Sequence, residues 1–409
     1  MKVVHVSTTD YGGAYKAAAR ISESMRANGA DSEILIRTKR YDDTPGVEAF
    51  WNPVQKILSK GKNVINLLLS RGEVISDYVG TNIIRHPLVK NADVVILHWV
   101  NSFVSYKTVE RLRKLGKPVI WVMHDMWLFT GGCHVDKNCG GYERQCGFCP
   151  YLRGGKDKDI SKKNFIRKCH MLEKSEIVLA GPSRWIVDCA SKSLITSHQQ
   201  IERIPNPINT EIYKPVEDKS NLRNKYSIPQ NKKVILYGAV NATGDRNKGY
   251  HFLLNALRQI DTKEYLLIIF GNKDKDSDIE KIIDTVFMGY IKDERILIEL
   301  YNLADVFAAP SQQENYPNSV LEASACGTPV AAFQIGGIPD IVDHEKTGIL
   351  APYGDAEKLA AAIEQCAEKT KQMGTAARKR IEEINSYDRI GKMYIKLAEN
   401  MLERKQYEK

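Results

Sequence analysis

Cysteine is scarce and unevenly placed: the chain has eight in 409 residues, and four of them fall between Cys133 and Cys149. A secreted disulfide scaffold uses cysteine more densely, so a reducing cytoplasm is the expected setting. No apolar run approaches the ~18 residues that span a bilayer. Met1 and Lys2 open onto a short apolar run that meets Asp10 before any long apolar stretch, which is not the pattern of a secretory signal. Low-complexity segments and short-period repeats are missing as well. Neither sign of charge dominates: 59 Lys and Arg face 50 Asp and Glu, a formal net charge of +9. That balance is not a histone-like tail. It suits a phosphate-rich substrate, nucleic acid or an anionic membrane equally well. What is present is an ordinary globular composition, 43% hydrophobic and 27% charged, which excludes disorder as the main state. The length allows two to three domains at about 150 residues each.

Short, nearly all-apolar runs alternate with helix-like stretches. The runs are Val3 to Val6, Ile34 to Ile36, Val94 to Leu97, Val119 to Met123 and Ile177 to Ala180, then Val234 to Tyr237, Leu266 to Phe270, Val286 to Met288, Val306 to Ala309 and Val330 to Phe333. Runs of this kind fit parallel strands covered on both faces. Gly12 to Asn28, Lys248 to Gln259 and Asp355 to Lys369 read as helices. Strand–helix alternation twice over predicts an α/β protein of two doubly wound, Rossmann-like domains facing across a cleft. Pro205-Asn206-Pro207 marks the boundary, because two prolines in three residues continue neither helix nor central strand. The expected domains are 1–205, including a Cys-rich loop 131–152, and 206–385. Residues 386–409 have Ile390, Met393, Tyr394, Leu397 and Met401 at helical spacing, so a terminal helix that crosses back is expected.

Ligands of open α/β sheets sit beyond the carboxyl ends of strands, so motifs just after strands carry the chemistry. The first run leads into Gly12-Gly13. That pair permits either close approach to an anion at a helix N-terminus or simply a tight turn. Arg246-Asn247-Lys248-Gly249 offers two cations for a diphosphate, or a solvated basic turn. The third signal is longest. Pro310 to Val330 holds Glu314 and Glu322, eight positions apart, with Asn315, Asn318, Ser319 and Val320 between them. Eight helical residues rise about 12 Å, beyond the ~5 to 9.5 Å of a glycosidase carboxylate pair. A division of labour fits better, one carboxylate for sugar hydroxyls and the other for a ribose diol, with free N–H groups near Asn318 and Ser319 facing phosphates.

This segment resembles the E-x7-E motif of retaining glycosyltransferases of the GT-B fold, family 4 in particular. The resemblance extends through Leu321-Glu322-Ala323, Cys326-Gly327-Thr328-Pro329-Val330, Gly336-Gly337-Ile338-Pro339-Asp340-Ile341 and Thr347-Gly348. It also takes in Lys248-Gly249 and the early glycine pair. Glu314-Asn315, Pro317-Asn318 and His124-Asp125-Met126-Trp127 look like bacterial enzymes that build capsular or extracellular polysaccharide. The resemblance implies a retaining transfer from a nucleotide-diphosphate sugar, UDP by preference, to a glycan or lipid-linked glycan, with no cofactor or catalytic metal. It implies Glu322 on the ribose, Glu314 on the donor sugar, Lys248 on the diphosphate, and Gly12 and Gly13 approaching it. Most relatives place an arginine five or six residues before this lysine. Thr243 and Ala242 stand there, and Arg246 is the substitute.

The same resemblance puts His124 beside the reacting sugar, with His98 a lesser candidate. Asp125 either holds His124 in one tautomer or caps the next turn. Cys133, Cys139, Cys146 and Cys149 could wrap a structural zinc ion, or be reduced thiols packing a loop, or form disulfides on oxidation. Val54 to Leu69, with Lys56, Lys60 and Lys62, reads either as a domain helix or as a basic amphipathic helix on an anionic membrane. The expected location is cytoplasmic, and under the second reading of this helix peripheral on the inner face of the cell membrane. Two rival functions remain: a sugar-nucleotide 2-epimerase on the same fold, and a non-enzymatic zinc-containing nucleic-acid-binding protein. The basic residues are spread along the chain without aromatic interleaving, so nucleic acid is not the expected partner.

Overall fold

The computed structural model describes residues 1–40, 45–50, 61, 64, 67, 68, 74, 80–173, 175–272 and 278–407. The chain divides into two compact units, Met1–Pro207 with Tyr387–Lys409, and Ile208–Ser386. Each is an α/β layer structure around one parallel sheet.

Among the described residues the first unit has seven strands: β1 (Lys2–Thr9), β2 (Asp31–Thr38), β3 (Val47–Ala49), β4 (Val94–Leu97), β5 (Val119–Val122), β6 (Val178–Gly181) and β7 (Ile201–Arg203). Their order is β3-β2-β1-β4-β5-β6-β7, so the winding reverses between β1 and β4. Alternate side chains of a strand leave opposite faces. Val4, Val6, Val95, Leu97, Val119 and Trp121 pack into the core on one face. Val3, Val94, Ile96, Ile120 and Val122 pack on the other with Ile21, Met25, Ile390 and Tyr394. The helices on that second face are Gly13–Ala27 and Tyr387–Tyr407. They approach closely enough that a Cβ on Gly391 would sit 2.2 Å from the Ser24 carbonyl oxygen.

Among the described residues the second unit has six strands: β8 (Lys233–Asn241), β9 (Tyr265–Asn272), β10 (Thr285–Gly289), β11 (Val306–Ala309), β12 (Val330–Phe333) and β13 (Gly348–Ala351). Their order is β10-β9-β8-β11-β12-β13, and the winding reverses between β8 and β11. Val234 and Leu236 enter one core, Ile235 and Tyr237 the other.

The α/β class and parallel sheets expected from the sequence are present. Three strands were not expected. β3 and β7 are sheet edges with mostly open side chains, so they lack the all-apolar signature of a central strand. β13 is buried but short, and opens with glycine. The helix expected over Lys248 to Gln259 begins later. Arg246–Lys248 is a 3-10 turn, Gly249 takes φ 73°, and the α-helix runs Tyr250–Leu257. The basic amphipathic helix expected over Val54 to Leu69 lies outside the described residues except at Gly61, Val64, Leu67 and Leu68. Among the described residues no helix is long and apolar enough to cross a membrane.

Candidate functional site

In the second unit the loops after β8 and β11 leave the sheet at its reversal point, where open α/β sheets bind ligands. They are stapled together. Gln312 N donates to the Asn247 carbonyl at 2.7 Å. Asn247 Nδ2 donates to the Gln313 carbonyl at 3.0 Å, and Gln312 Nε2 to the Arg246 carbonyl at 2.6 Å. Gly249 is required where these loops cross, because a Cβ there would stand 1.7 Å from the Pro310 carbonyl oxygen.

The staple brings Lys248 Nζ to 2.6 Å from Glu314 Oε1. Burial alone would lower the lysine pKa, but Glu314, by charge and hydrogen bond, and then Asp245 outweigh it and hold the ammonium above its ordinary value. Glu314 is fixed from behind, since its carbonyl accepts Gly337 N at 3.0 Å. Gly336 has φ 49°, and a Cβ there would lie 1.9 Å from that same carbonyl oxygen.

Asn318, Ser319 and Val320 form the first turn of the helix Asn318–Ala325, whose N-cap Pro317 supplies no side-chain cap. The first intrahelical bond runs from Leu321 N to Pro317 O at 3.1 Å, so the three preceding N–H groups lie outside the helical ladder. Glu322 is buried one turn further on, and Tyr301 Oη donates to its Oε2 at 3.0 Å. Asn315 is half-buried in the loop between the two glutamates. Arg246 is exposed, and the contact that ties it to the site is its main-chain carbonyl rather than its guanidinium.

In the first unit the reversal point lies between β1 and β4. Gly12 is the N-cap of Gly13–Ala27 at φ 88°, and both glycines are exposed. A Cβ on Gly12 would meet nothing within 4 Å, so the space above this helix start is open. His124 follows β5. Its Nε2 lies 2.9 Å from His98 Nδ1, and His98 Nε2 lies 2.8 Å from His5 Nδ1. Burial lowers the His124 pKa to about 4 against the opposing charge of Asp125. The Asp125 carboxylate accepts Trp127 N at 2.8 Å, capping the next turn, and His134 Nδ1 at 2.5 Å. Burial pushes this carboxyl up, but His134 outweighs burial and holds it below its usual range.

Cys133, Cys139, Cys146 and Cys149 are free thiols that line one cavity. Among the described residues, no group of three or more His, Cys, Asp or Glu side chains is arranged to hold a metal ion. Two of the sulfurs accept main-chain hydrogen bonds. Gly131 N donates to Cys146 Sγ at 3.2 Å and Gly141 N to Cys139 Sγ at 3.5 Å. Burial pushes the Cys133 and Cys146 thiols up to about 11 and about 12, which favours the neutral form.

His5 and Tyr301 belong to no motif in the sequence. The one signal for His5 is a lone histidine among Val3, Val4 and Val6. Nothing in the sequence points to Tyr301.

Both units match the two-domain GT-B architecture. Sucrose-phosphate synthase from Thermosynechococcus elongatus superposes with a TM-score of 0.68 at 18% identity, over 99% of this chain and 100% of that one. The Anabaena protein Alr3699/HepE, solved with UDP-glucose, gives 0.67 at 16% identity, over 98% and 100%. Residues 231–369, all within the second unit, match the family described as Glycosyl transferases group 1. D-inositol 3-phosphate glycosyltransferase from Segniliparus rotundus is 23% identical over 397 residues, covering 90% of this chain and 80% of the relative. Against several other curated relatives the chain spans less than two thirds of their length, from 16% to 62%.

Proposed function

We propose that the protein is a family 4 glycosyltransferase of bacterial polysaccharide biosynthesis. It would move a sugar from a nucleotide-diphosphate donor to a glycan or lipid-linked glycan with retention of anomeric configuration. The observation that carries this reading is the Lys248–Glu314 pair at the reversal point of the second sheet, beside the uncapped start of Asn318–Ala325. Bond cleavage loads negative charge onto the departing diphosphate. A fixed ammonium and oriented N–H groups stabilise that charge without reorganising, and this supports metal-independent chemistry. Glu314 is assigned to donor-sugar hydroxyls. Glu322, buried and oriented by Tyr301, is assigned to the ribose diol. Arg246, exposed beside Lys248, is a further cation for the phosphates. The first unit would supply Gly12 and Gly13 to the phosphates and His124 to a sugar hydroxyl. Uridine diphosphate is the preferred donor nucleotide, supported by the HepE complex with UDP-glucose.

A lipid-linked acceptor would place the protein at the cytoplasmic face of a membrane. Val64, Leu67 and Leu68 are exposed apolar residues that support such a contact. The test is product analysis with UDP-sugars, with and without an undecaprenyl-diphosphate-linked glycan acceptor. Acceptor-dependent transfer that preserves the donor's anomeric configuration is expected. Interconversion of the sugar nucleotide alone, with no transfer, would replace this reading by the epimerase.

A further inference from the structure

Three imidazoles cross the first sheet in a diagonal line. His5 lies within β1, His98 directly follows β4, and His124 lies just beyond β5, on three adjacent parallel strands. Val6 pairs with Leu97 and Leu97 with Trp121. Continuing that register by one residue sets His98 across from Ser7 and Val122. Each histidine thus lies two positions further along its strand than the one before. Two positions keep a side chain on the same face, and all three rings share the face covered by Gly13–Ala27 and Tyr387–Tyr407. The rings lie edge to edge in nearly parallel planes, with centroid separations of 5.1 and 5.2 Å and interplanar angles of 19° and 22°. Both links between them are within hydrogen-bond distance.

A neutral imidazole has one N–H and one lone pair, so a line of three has only two consistent polarities. In the first, every Nε2 is protonated. His124 donates to His98, His98 to His5, and His5 Nε2 is left with a buried N–H. In the second, every Nδ1 is protonated. His5 donates to His98, His98 to His124, and His124 presents Nδ1–H. The groups around the line choose between them. His5 Nε2 is buried without a partner, and a buried N–H left without an acceptor is a rarer and costlier defect than a buried lone pair left unused. That end selects the second polarity, and the positive charge of Arg26 acting on the His5 ring agrees with it.

We infer that His98, backed by His5, is a positioning residue that fixes the ring of His124 and makes its Nδ1 an obligatory hydrogen-bond donor. Its target is an electron-rich oxygen of sugar or phosphate, so His124 is not a general base. The role of His124 in transfer rests on the reading proposed above. The tautomer does not, and it can be measured without substrate.

The test is the long-range 1H–15N spectrum of the histidine rings in the full chain at neutral pH, assigned with single-histidine variants. His5, His98 and His124 are expected as Nδ1–H tautomers. In His98→Phe, which keeps the ring but removes both nitrogens, His124 should shift toward the Nε2–H form. His98→Asn should partly restore the Nδ1–H form and covers failure of the phenylalanine variant to fold. Wild-type His124 protonated at Nε2, or a His124 tautomer unmoved in both variants, would overturn the inference. If transfer is detected, kcat should fall on the order of tenfold in His98→Phe with little change in KM for the donor. A loss confined to KM would contradict positioning. An inactive wild type with the expected tautomers would count against the transferase reading and leave the array standing.

Discussion

Lys248 Nζ and Glu314 Oε1 lie 2.6 Å apart although 66 residues separate them in the chain. The side chains are 31% and 15% exposed, so the pair is neither a surface ion pair nor a dry one. A double-mutant cycle with Lys248→Met and Glu314→Gln should give a coupling on the order of 1 kcal/mol in denaturant unfolding. The folded lysine is held above its ordinary pKa, so its contribution is complete below the unfolded lysine pKa and is lost only as pH rises through the folded value. Coupling that vanishes near neutral pH would contradict the pairing.

Gly249→Ala should be worse than a surface glycine substitution. The residue sits at φ 73°, and the new Cβ would strike the Pro310 carbonyl at 1.7 Å. The loop bearing Lys248 must then move relative to the loop bearing Glu314. A stability loss of about 2 kcal/mol or more is expected from the strain and the broken staple, together with weaker nucleotide binding. Calorimetry on the folded variant separates the two. Gly12→Ala is strained only by its φ of 88°, since its Cβ would meet nothing, and should cost less stability.

Tyr301→Phe removes the hydroxyl that donates to Glu322 Oε2 within the buried core. The carboxylate then loses a hydrogen bond in an apolar setting, a cost of about 1 to 3 kcal/mol. A severalfold loss of affinity for a nucleoside diphosphate should accompany it, with a smaller loss for a ligand lacking the ribose diol. Equal losses for the two ligands would separate Glu322 from ribose recognition.

Acid should destabilise the first unit early. Burial, with the Arg26 charge adding, lowers the His5 pKa to about 3, and burial lowers His124 to about 4. Burial, followed by His5 and His124, puts His98 well below its ordinary value. Unfolded histidine titrates near 6.5. As pH falls from about 6.5 to 4 the unfolded chain therefore binds more protons than the folded one, and stability falls. The thermal midpoint should be flat above pH 7 and drop steadily toward pH 4. Replacing His5 with Phe should flatten part of that drop. A midpoint that rises on acidification would contradict the neutral array.

The thiols should alkylate in an order set by burial. Cys139 is exposed, while Cys133 and Cys146 are pushed up to about 11 and about 12 by burial. Cys139 should react first with iodoacetamide, followed over time by its buried neighbours. If the four sulfurs instead gather around a metal in solution, all four would be protected together and released together by a chelator. Mass spectrometry of time points distinguishes the two.

The strand–helix alternation was legible because central parallel strands are apolar on both faces, as β4, β5 and β11 are. β3 and β7 were not, because an edge strand needs little apolar side chain to stay paired. Glu314, Glu322 and Lys248 could be named from local motifs. Their partners could not. Tyr301 reaches Glu322 from the preceding helix, and Gly336 holds the Glu314 main chain from a later turn. The pairing of Asp125 with His134 is set by the fold of the loop that carries both.

The most direct measurement is calorimetric titration of the full chain with UDP-, GDP-, ADP- and CMP-sugars, repeated on Lys248→Met. The expected result is saturable binding of one nucleotide-sugar class to the wild type, UDP foremost, at least tenfold weaker in the variant. No binding by any of the four classes, or equal affinity in wild type and variant, would contradict the assignment of the second unit as the donor site.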